Sequence, residues 1–377
     1  MSFIINSLGH EIPTLTTELI GHFSIDSNSQ YRADLSQLRY YIFPLNSESN
    51  YWDYRTVGLD LKENFPDTNY KSIPCSKWEN ILRWISDNFN QLERPLSIQK
   101  ECWLNVDFIC HREALKRILC SLYITDDEWI IYANKYRGTI YLCEFYTNKK
   151  KRQCVNKTMT EKQITSERYK FEQHIAGPSY KSEPLVFHNA KNNERNKFYC
   201  MFKTKFDNYS LLYGADIHSI SSKELITDTL IGKSFELIEL KILPMDKLNS
   251  DTHEIISSEK ILMWWSQNYL MNIDKTICGI KDRNTVVRRI KEYSTHELPY
   301  LSKPSCNVDE CKIFCKIFLN NVKKIVTKDY TECMYKFHWK PSAKYAVNYS
   351  EEAPDNETYF LKQWFFDKAE KYRNHSQ

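Results

Sequence analysis

In Phe235-Glu-Leu-Ile-Glu-Leu-Lys-Ile242 the alternation reads as a strand. Its period of two puts Glu239 and Lys241 on the face shared by Phe235 and Leu237. A carboxylate and an ammonium on a packed side need each other, a metal or a substrate phosphate, because burying either alone is costly. Glu-x-Lys at a strand end suits phosphodiester hydrolysis: the acid holds a divalent ion while the ammonium positions water or a phosphate oxygen. The tripeptide is common, and its plainer reading is a solvated strand face. Upstream, Leu211-Leu-Tyr-Gly-Ala-Asp-Ile-His218 reads as a second strand with Asp216 and His218 on one face. If the two strands pair, two acids, an imidazole and an amine converge. By itself His218 reads as a hydrogen-bonded structural histidine.

These residues need a sizeable fold around them, and 377 residues at 42% hydrophobic and 27% charged supply one. The balance of 52 basic and 48 acidic side chains, a formal +4, excludes a general polyanion coat, so any nucleic-acid site is a local concentration of charge. The eight glycines form no Gly-x-Gly pair, Walker loop or Gly-x-Ser-x-Gly elbow, which removes the phosphate-cradling Gly-rich loops. No window has the length of apolar residues a membrane span requires, and Met1–Leu15 lacks the pattern of a signal peptide, so an intracellular chain is expected. Twelve cysteines without a CxxC are expected as reduced core thiols.

Apolar residues run evenly from Phe3 to Phe366 without linker or repeat, which predicts one domain over residues 1–377. Ser76-Lys-Trp-Glu79 reads as a capping box, and Trp78, Ile81, Leu82, Ile85 and Phe89 recur at helical spacing behind it. Further helices are predicted over Arg112–Leu122, Ser258–Leu270 and Asp309–Val326. Strands are predicted over Trp129–Tyr136, Thr139–Thr147, Tyr199–Lys205, Leu211–Ile220, Phe235–Ile242, Thr276–Ile280, Met334–Trp339 and Tyr345–Tyr349. Surface loops are predicted over Asn46–Trp52, Asn148–Glu167, Pro178–Lys197 and Met245–Ser258. The pattern predicts an α/β (α+β) fold, mixed β-sheets forming a central cleft and wrapped by helices. Lys149-Lys-Lys-Arg152 is read as a solvated turn ahead of a nuclear-import or nucleic-acid patch. Cys306, Cys311 and Cys315 could be drawn as a zinc site with His296 or His338. Cys311, Phe314, Cys315 and Phe318 share one helix face, however, so core packing is expected.

Taken in order, Phe198–Ser219, Ile238-Glu-Leu-Lys241 and Lys260-Ile-Leu-Met-Trp-Trp-Ser-Gln267 resemble consecutive signature blocks of the DXO family of decapping and 5′-to-3′ exoribonucleases. Asp107–Leu115 resembles its Trp-Arg-Gly-Leu block, Gly138–Glu144 its central strand and Tyr169-Lys-Phe-Glu172 its Tyr-Lys-Phe-Glu block. Leu38-Arg-Tyr-Tyr41, Gly58-Leu-Asp60 and Phe360–Trp364 resemble its opening and closing elements, so the resemblance covers essentially the whole chain. It implies that Arg112 and Gln267, with Lys241, contact the RNA backbone. It also implies that Glu172, Asp216 and Glu239 are metal-site or catalytic acids, with Lys241 their cationic partner.

Three departures bear on that chemistry. The family's Glu-x-Asp stands here as Asp216-Ile-His218, its Trp-Arg-Gly as His111-Arg112-Glu113, and the glycine before Tyr-Lys-Phe-Glu as Arg168. Imidazole at His218 removes a negative charge and offers nitrogen where Mg²⁺ takes oxygen. Asp216 is a methylene shorter than glutamate, and Glu113 sets an acid beside Arg112. The expectation is a pseudoenzyme that needs no cofactor, with Mg²⁺ or Mn²⁺ the metal if it is active. The resemblance is greatest to a divergent insect germline member. It implies a nuclear protein that binds RNA 5′ ends weakly and works with chromatin-associated protein partners in piRNA-precursor transcription, without membrane or DNA-specific binding. The rival readings are an active metal-dependent decapping, deNADding exoribonuclease and a pure protein-interaction scaffold.

Overall fold

The strands sort into two mixed sheets, and at one of the chain's crossings between them a single residue separates the two strands. The computed structural model describes residues 1–7, 9–42, 58–62, 74–94, 102–155, 158–182, 196–244, 256–302, 304–353 and 359–376. Its N-terminal elements are β1 (Ser2–Ile4), β2 (Leu15–Ile25), β3 (Tyr31–Arg32), β4 (Tyr40–Tyr41), β5 (Leu59–Asp60), α1 (Pro74–Asp87) and α2 (Phe89–Leu92). There follow β6 (Phe108–His111), α3 (Arg112–Cys120), β7 (Trp129–Tyr136), β8 (Thr139–Phe145), α4 (Asn148–Val155), α5 (Met159–Ile175) and β9 (Ala176–Gly177). Next come β10 (Lys197–Phe206), β11 (Tyr209–Ile217), β12 (Ser219–Ser221), β13 (Glu236–Pro244), α6 (Ser258–Met271), β14 (Lys275–Lys281) and β15 (Val286–Ser294). The chain finishes with α7 (Val308–Ile325), β16 (Met334–Trp339), β17 (Ala346–Glu352) and α8 (Gln363–Ser376).

The larger sheet has the order β1-β17-β16-β7-β8-β6-β11-β10-β2-β3, the smaller β5-β15-β14-β13-β12-β4-β9. Side-chain alternation along the central strands of the larger sheet explains why helices cover both of its faces. Phe108, Cys110, Ile140 and Leu142 join a core with Leu115, Ile118, Leu262 and Phe318 from α3, α6 and α7. The intervening Ile109, Tyr141 and Cys143 join Trp78, Ile81 and Phe365 from α1 and α8. The smaller sheet packs Ile238, Leu240 and Ile277 against Phe171 and Ile175 of α5. Gly279 makes that approach possible, since a Cβ there would stand 2.5 Å from the Phe171 ring.

The observed architecture is the expected α/β class, with β7 and β16 at the predicted bounds. The predicted loop Asn148–Glu167 is instead helical, in α4 and the first half of α5. Thr158 and Glu161 form a reciprocal capping box that nucleates α5, whose buried face is narrow and hard to read from hydrophobicity. Lys149–Arg152 accordingly lies on α4 rather than in a turn between strands. At α1 the helix begins at Pro74, so Ser76 falls within its first turn, and Glu79 pairs with Arg83 at 2.9 Å. Asn46–Trp52 and most of Pro178–Lys197 and Met245–Ser258 lie outside the described residues. Cys311 and Cys315 are free, buried thiols packed with Phe314 and Phe318, while His338 meets Glu128 at 3.0 Å. Among the described residues no helix is long and apolar enough to cross a membrane.

Candidate active site

Two registers assemble the site. β11 and β6 run parallel with Gly214 opposite His111, which brings Asp216, two residues on, and Arg112, one residue on, into contact. β12 and β13 run antiparallel with Ser219 opposite Ile238, so His218, the one residue between β11 and β12, falls opposite Glu239. Of the predicted strand Leu211–Ile220, only the end beyond His218 pairs with the Glu239 strand, Ser219 with Ile238 and Ile220 with Leu237, while Asp216 lies in β11. β11 and β13 belong to different sheets, and the crossover at His218 brings Asp216 and Glu239 into one region.

Arg112 is the first residue of α3, whose N-cap is His111 with Nδ1 accepting the Glu113 N–H at 3.2 Å. Only 4% exposed, Arg112 donates from Nη2 to Asp216 Oδ1 at 2.8 Å and to Glu113 Oε1 at 3.0 Å. Nη1 faces the Asp216 carbonyl at 3.4 Å and the Met271 sulfur at 3.2 Å. A carboxylate beside a helix N-terminus also complements the macrodipole there. The second oxygen of Asp216 lies 3.6 Å from Lys197 Nζ. Glu113 also pairs with Lys116. Burial pushes the Glu113 carboxyl up, but Lys116 and Arg112 outweigh it and hold the group well below its ordinary range.

Glu239 is 2% exposed, with Oε1 taking Lys241 Nζ at 2.5 Å and Oε2 lying 3.3 Å from His218 Nδ1. Lys241 donates again, to Gln267 Oε1 of α6 at 2.8 Å. Burial raises the Glu239 pKa, but His218 and Lys241, and then Arg112, lower it by more, and the carboxyl stays ionised far below the ordinary value. For His218 burial opposes the charge and Glu239 with Glu172 favours it, with a net upward shift. Its Nε2 lies 3.5 Å from Glu172 Oε1 on α5, where Arg168 Nε approaches the same oxygen at 3.4 Å. Leu240 N–H points at His218 Nδ1 from 3.2 Å, so Nδ1 has two alternative roles. The imidazolium donates to Glu239, and the neutral ring accepts from Leu240.

All seven residues predicted for the site, Glu172, Asp216, His218, Glu239, Lys241, Arg112 and Gln267, thus meet in one region. Next to it opens a cleft of about 300 Å³ lined by Glu172, Asp216 and His218 together with Arg39, Arg168 and Lys197. Sequence reasoning passed over Arg39 and Lys197 and noted Arg168 only as a departure. The Arg168 guanidinium lies 4.8 Å over the Tyr169 ring. Arg112 faces Asp216, while Arg39, Arg168 and Lys197 are the cations that line the cleft.

A hard divalent cation needs several oxygens converging on one point. Asp216 is engaged by Arg112 and Lys197, Glu239 by Lys241 and His218, and the imidazole stands between Glu239 and Glu172. Among the described residues no three His, Cys, Asp or Glu side chains are grouped so as to hold a metal ion. The donor set in this arrangement does not fit a magnesium pair.

The chain is 26% identical over 330 residues to the decapping and exoribonuclease protein of Xenopus laevis, spanning 85% of this chain and 79% of that one. It is 21% identical over 360 residues to the protein cutoff of Drosophila melanogaster, spanning 94% and 88%. Among solved structures, Candida albicans Rai1 in complex with pU5-Mn²⁺ superposes with a TM-score of 0.72 at 17% identity, covering 98% of this chain and 100% of that one. Residues 16–366 match the model of the RAI1 like PD-(D/E)XK nucleases, and the chain belongs to that family.

Proposed function

We propose that this chain is a catalytically degenerate member of the decapping-exoribonuclease family, which holds RNA 5′ ends in its cleft without hydrolysing them. The observation that carries the reading is His218, whose imidazole stands 3.3 Å from Glu239 and 3.5 Å from Glu172 and, when protonated, supplies there the positive charge that a nuclease would take from metal. Lys241 completes the neutralisation of Glu239, and Arg112 with Lys197 that of Asp216. With the acids balanced internally, they repel a phosphate strand less than bare carboxylates would. The cleft keeps guanidinium and ammonium donors that bind phosphate without metal. The likeness to Rai1 with a bound oligonucleotide supports RNA as the ligand. From the resemblance alone we carry a nuclear role with chromatin-associated protein partners in piRNA-precursor transcription.

The rival reading, an Mn²⁺-dependent enzyme, draws on Glu172 Oε1, which is buried without a hydrogen bond. Both are tested by incubating the purified chain with capped, NAD-capped and 5′-monophosphorylated RNA in Mg²⁺ or Mn²⁺. We expect no release of cap, NAD or nucleotide above a Lys241→Ala control, while filter binding detects retained RNA. Turnover that the control abolishes overturns the proposal in favour of the enzyme.

A further inference from the structure

Resting on the reading of the cleft as an RNA-end site, we infer that Arg39 is its oxyanion-binding residue and selects the terminal phosphate monoester of the RNA. Arg39 immediately precedes β4, and its backbone is pinned against β12, because Ile220 N–H donates to the Arg39 carbonyl at 2.9 Å and Ile220 registers with Tyr40. This places it two residues of strand from His218, on the wall of the same cleft.

What distinguishes Arg39 from the other cations is its partners. Lys197 faces Asp216 and Arg168 faces Glu172. Among the described residues the Arg39 guanidinium bonds neutral oxygens, the Leu38 carbonyl at 3.0 Å and the Gln37 side-chain oxygen at 3.5 Å. Among the described residues no carboxylate lies within ion-pair distance of it. Burial without a counter-ion disfavours its charge, and an incoming anion supplies the missing term. Guanidinium presents paired N–H donors to two oxygens of one phosphate, and a terminal monoester offers more charge and one more free oxygen than a backbone diester. Arg168, whose side chain is 44% exposed, and Lys197 stand on the same cleft as auxiliary donors.

The test is fluorescence anisotropy of the full-length protein in EDTA with one single-stranded RNA sequence carrying either a 5′-phosphate or a 5′-hydroxyl. The expected preference for the phosphate is about tenfold, lost in Arg39→Gln and partly restored in Arg39→Lys. Inorganic phosphate should compete with the phosphorylated RNA on the wild-type protein and not on Arg39→Gln. A matching thermal midpoint for the two variants separates loss of the contact from loss of fold. Equal affinity for both ends, or a preference that survives Arg39→Gln, overturns the role of Arg39 while leaving RNA binding in place. Absence of binding to either RNA overturns the RNA-end reading itself.

Discussion

The His218 imidazole and the Glu239 carboxylate face each other across the antiparallel register of β12 and β13, Nδ1 to Oε2, at 3.3 Å. The acid is all but fully buried, and the histidine is the one residue between β11 and β12, where the chain passes from the larger sheet to the smaller. The side chain that stands where the family resemblance implies an aspartate is therefore part of what holds the sheets at this crossing.

That pair makes stability depend on pH in a defined direction. His218 has its folded pKa raised above 6.5, so its contribution is complete below that value and is lost as pH rises through the folded one. Glu239 has its folded pKa lowered below 4.5, so its contribution is present above that value and is lost as pH falls through the folded one. Both terms coexist between 4.5 and 6.5. Urea denaturation at about pH 5.5 and about pH 8.5 should show the wild type losing more stability at the alkaline end than His218→Gln. Equal losses in the two proteins would mean that the ring is neutral throughout and accepts from Leu240 N–H.

Arg112 and Asp216 form a buried pair, and removing one partner leaves the other charge uncompensated. Arg112→Met should cost about 3 kcal/mol in chemical denaturation, with Lys197 keeping part of the Asp216 charge balanced. Since Arg112 is turned into the protein, RNA affinity measured on the folded variant should change less than on Arg39→Gln. A destabilisation under about 0.5 kcal/mol would show that the guanidinium is not needed to hold Asp216.

Gly279 connects packing to the site through α5. A methyl at this position would meet the Phe171 ring, itself next to Glu172 in sequence, so Gly279→Ala must displace the helix. The expected cost is about 1–3 kcal/mol, read as a lower thermal midpoint, together with a weaker Glu172–His218 contact read as an altered pH dependence of stability. An unchanged midpoint would mean that the sheet and helix separate freely here.

The sequence made legible those parts of the fold whose residues announce their own period. Trp129–Tyr136 and Met334–Trp339 are strands at the expected bounds because β-branched and aromatic side chains crowd both faces. The helix carrying Glu172 was read as a loop in its first half, since between Met159 and Glu167 it presents mostly polar residues to solvent, although its Thr158–Glu161 capping box was there to be found. Glu239 and Lys241 were recognisable from a local tripeptide. The contact of Arg112 with Asp216, 104 residues away, and the position of Arg39 beside the cleft depend on strand order, which no local pattern encodes. His218 is placed in the right region by a pairing of its predicted strand with the Glu239 strand that the structure forms only beyond His218, in β12. Its place follows from the crossover between sheets.

The central claim, that His218 occupies electrostatically the place of a metal, is tested most directly by calorimetric titration of Mn²⁺ into wild-type protein and the Asp216→Glu, His218→Asp double variant, with RNA hydrolysis followed on the same samples. Replacing the imidazole by a carboxylate and lengthening the Asp216 side chain to glutamate should raise Mn²⁺ affinity at least about tenfold over the wild type, which itself should bind weakly and leave RNA intact. Tight Mn²⁺ binding by the wild type accompanied by RNA cleavage, with no gain in the double variant, would contradict the account.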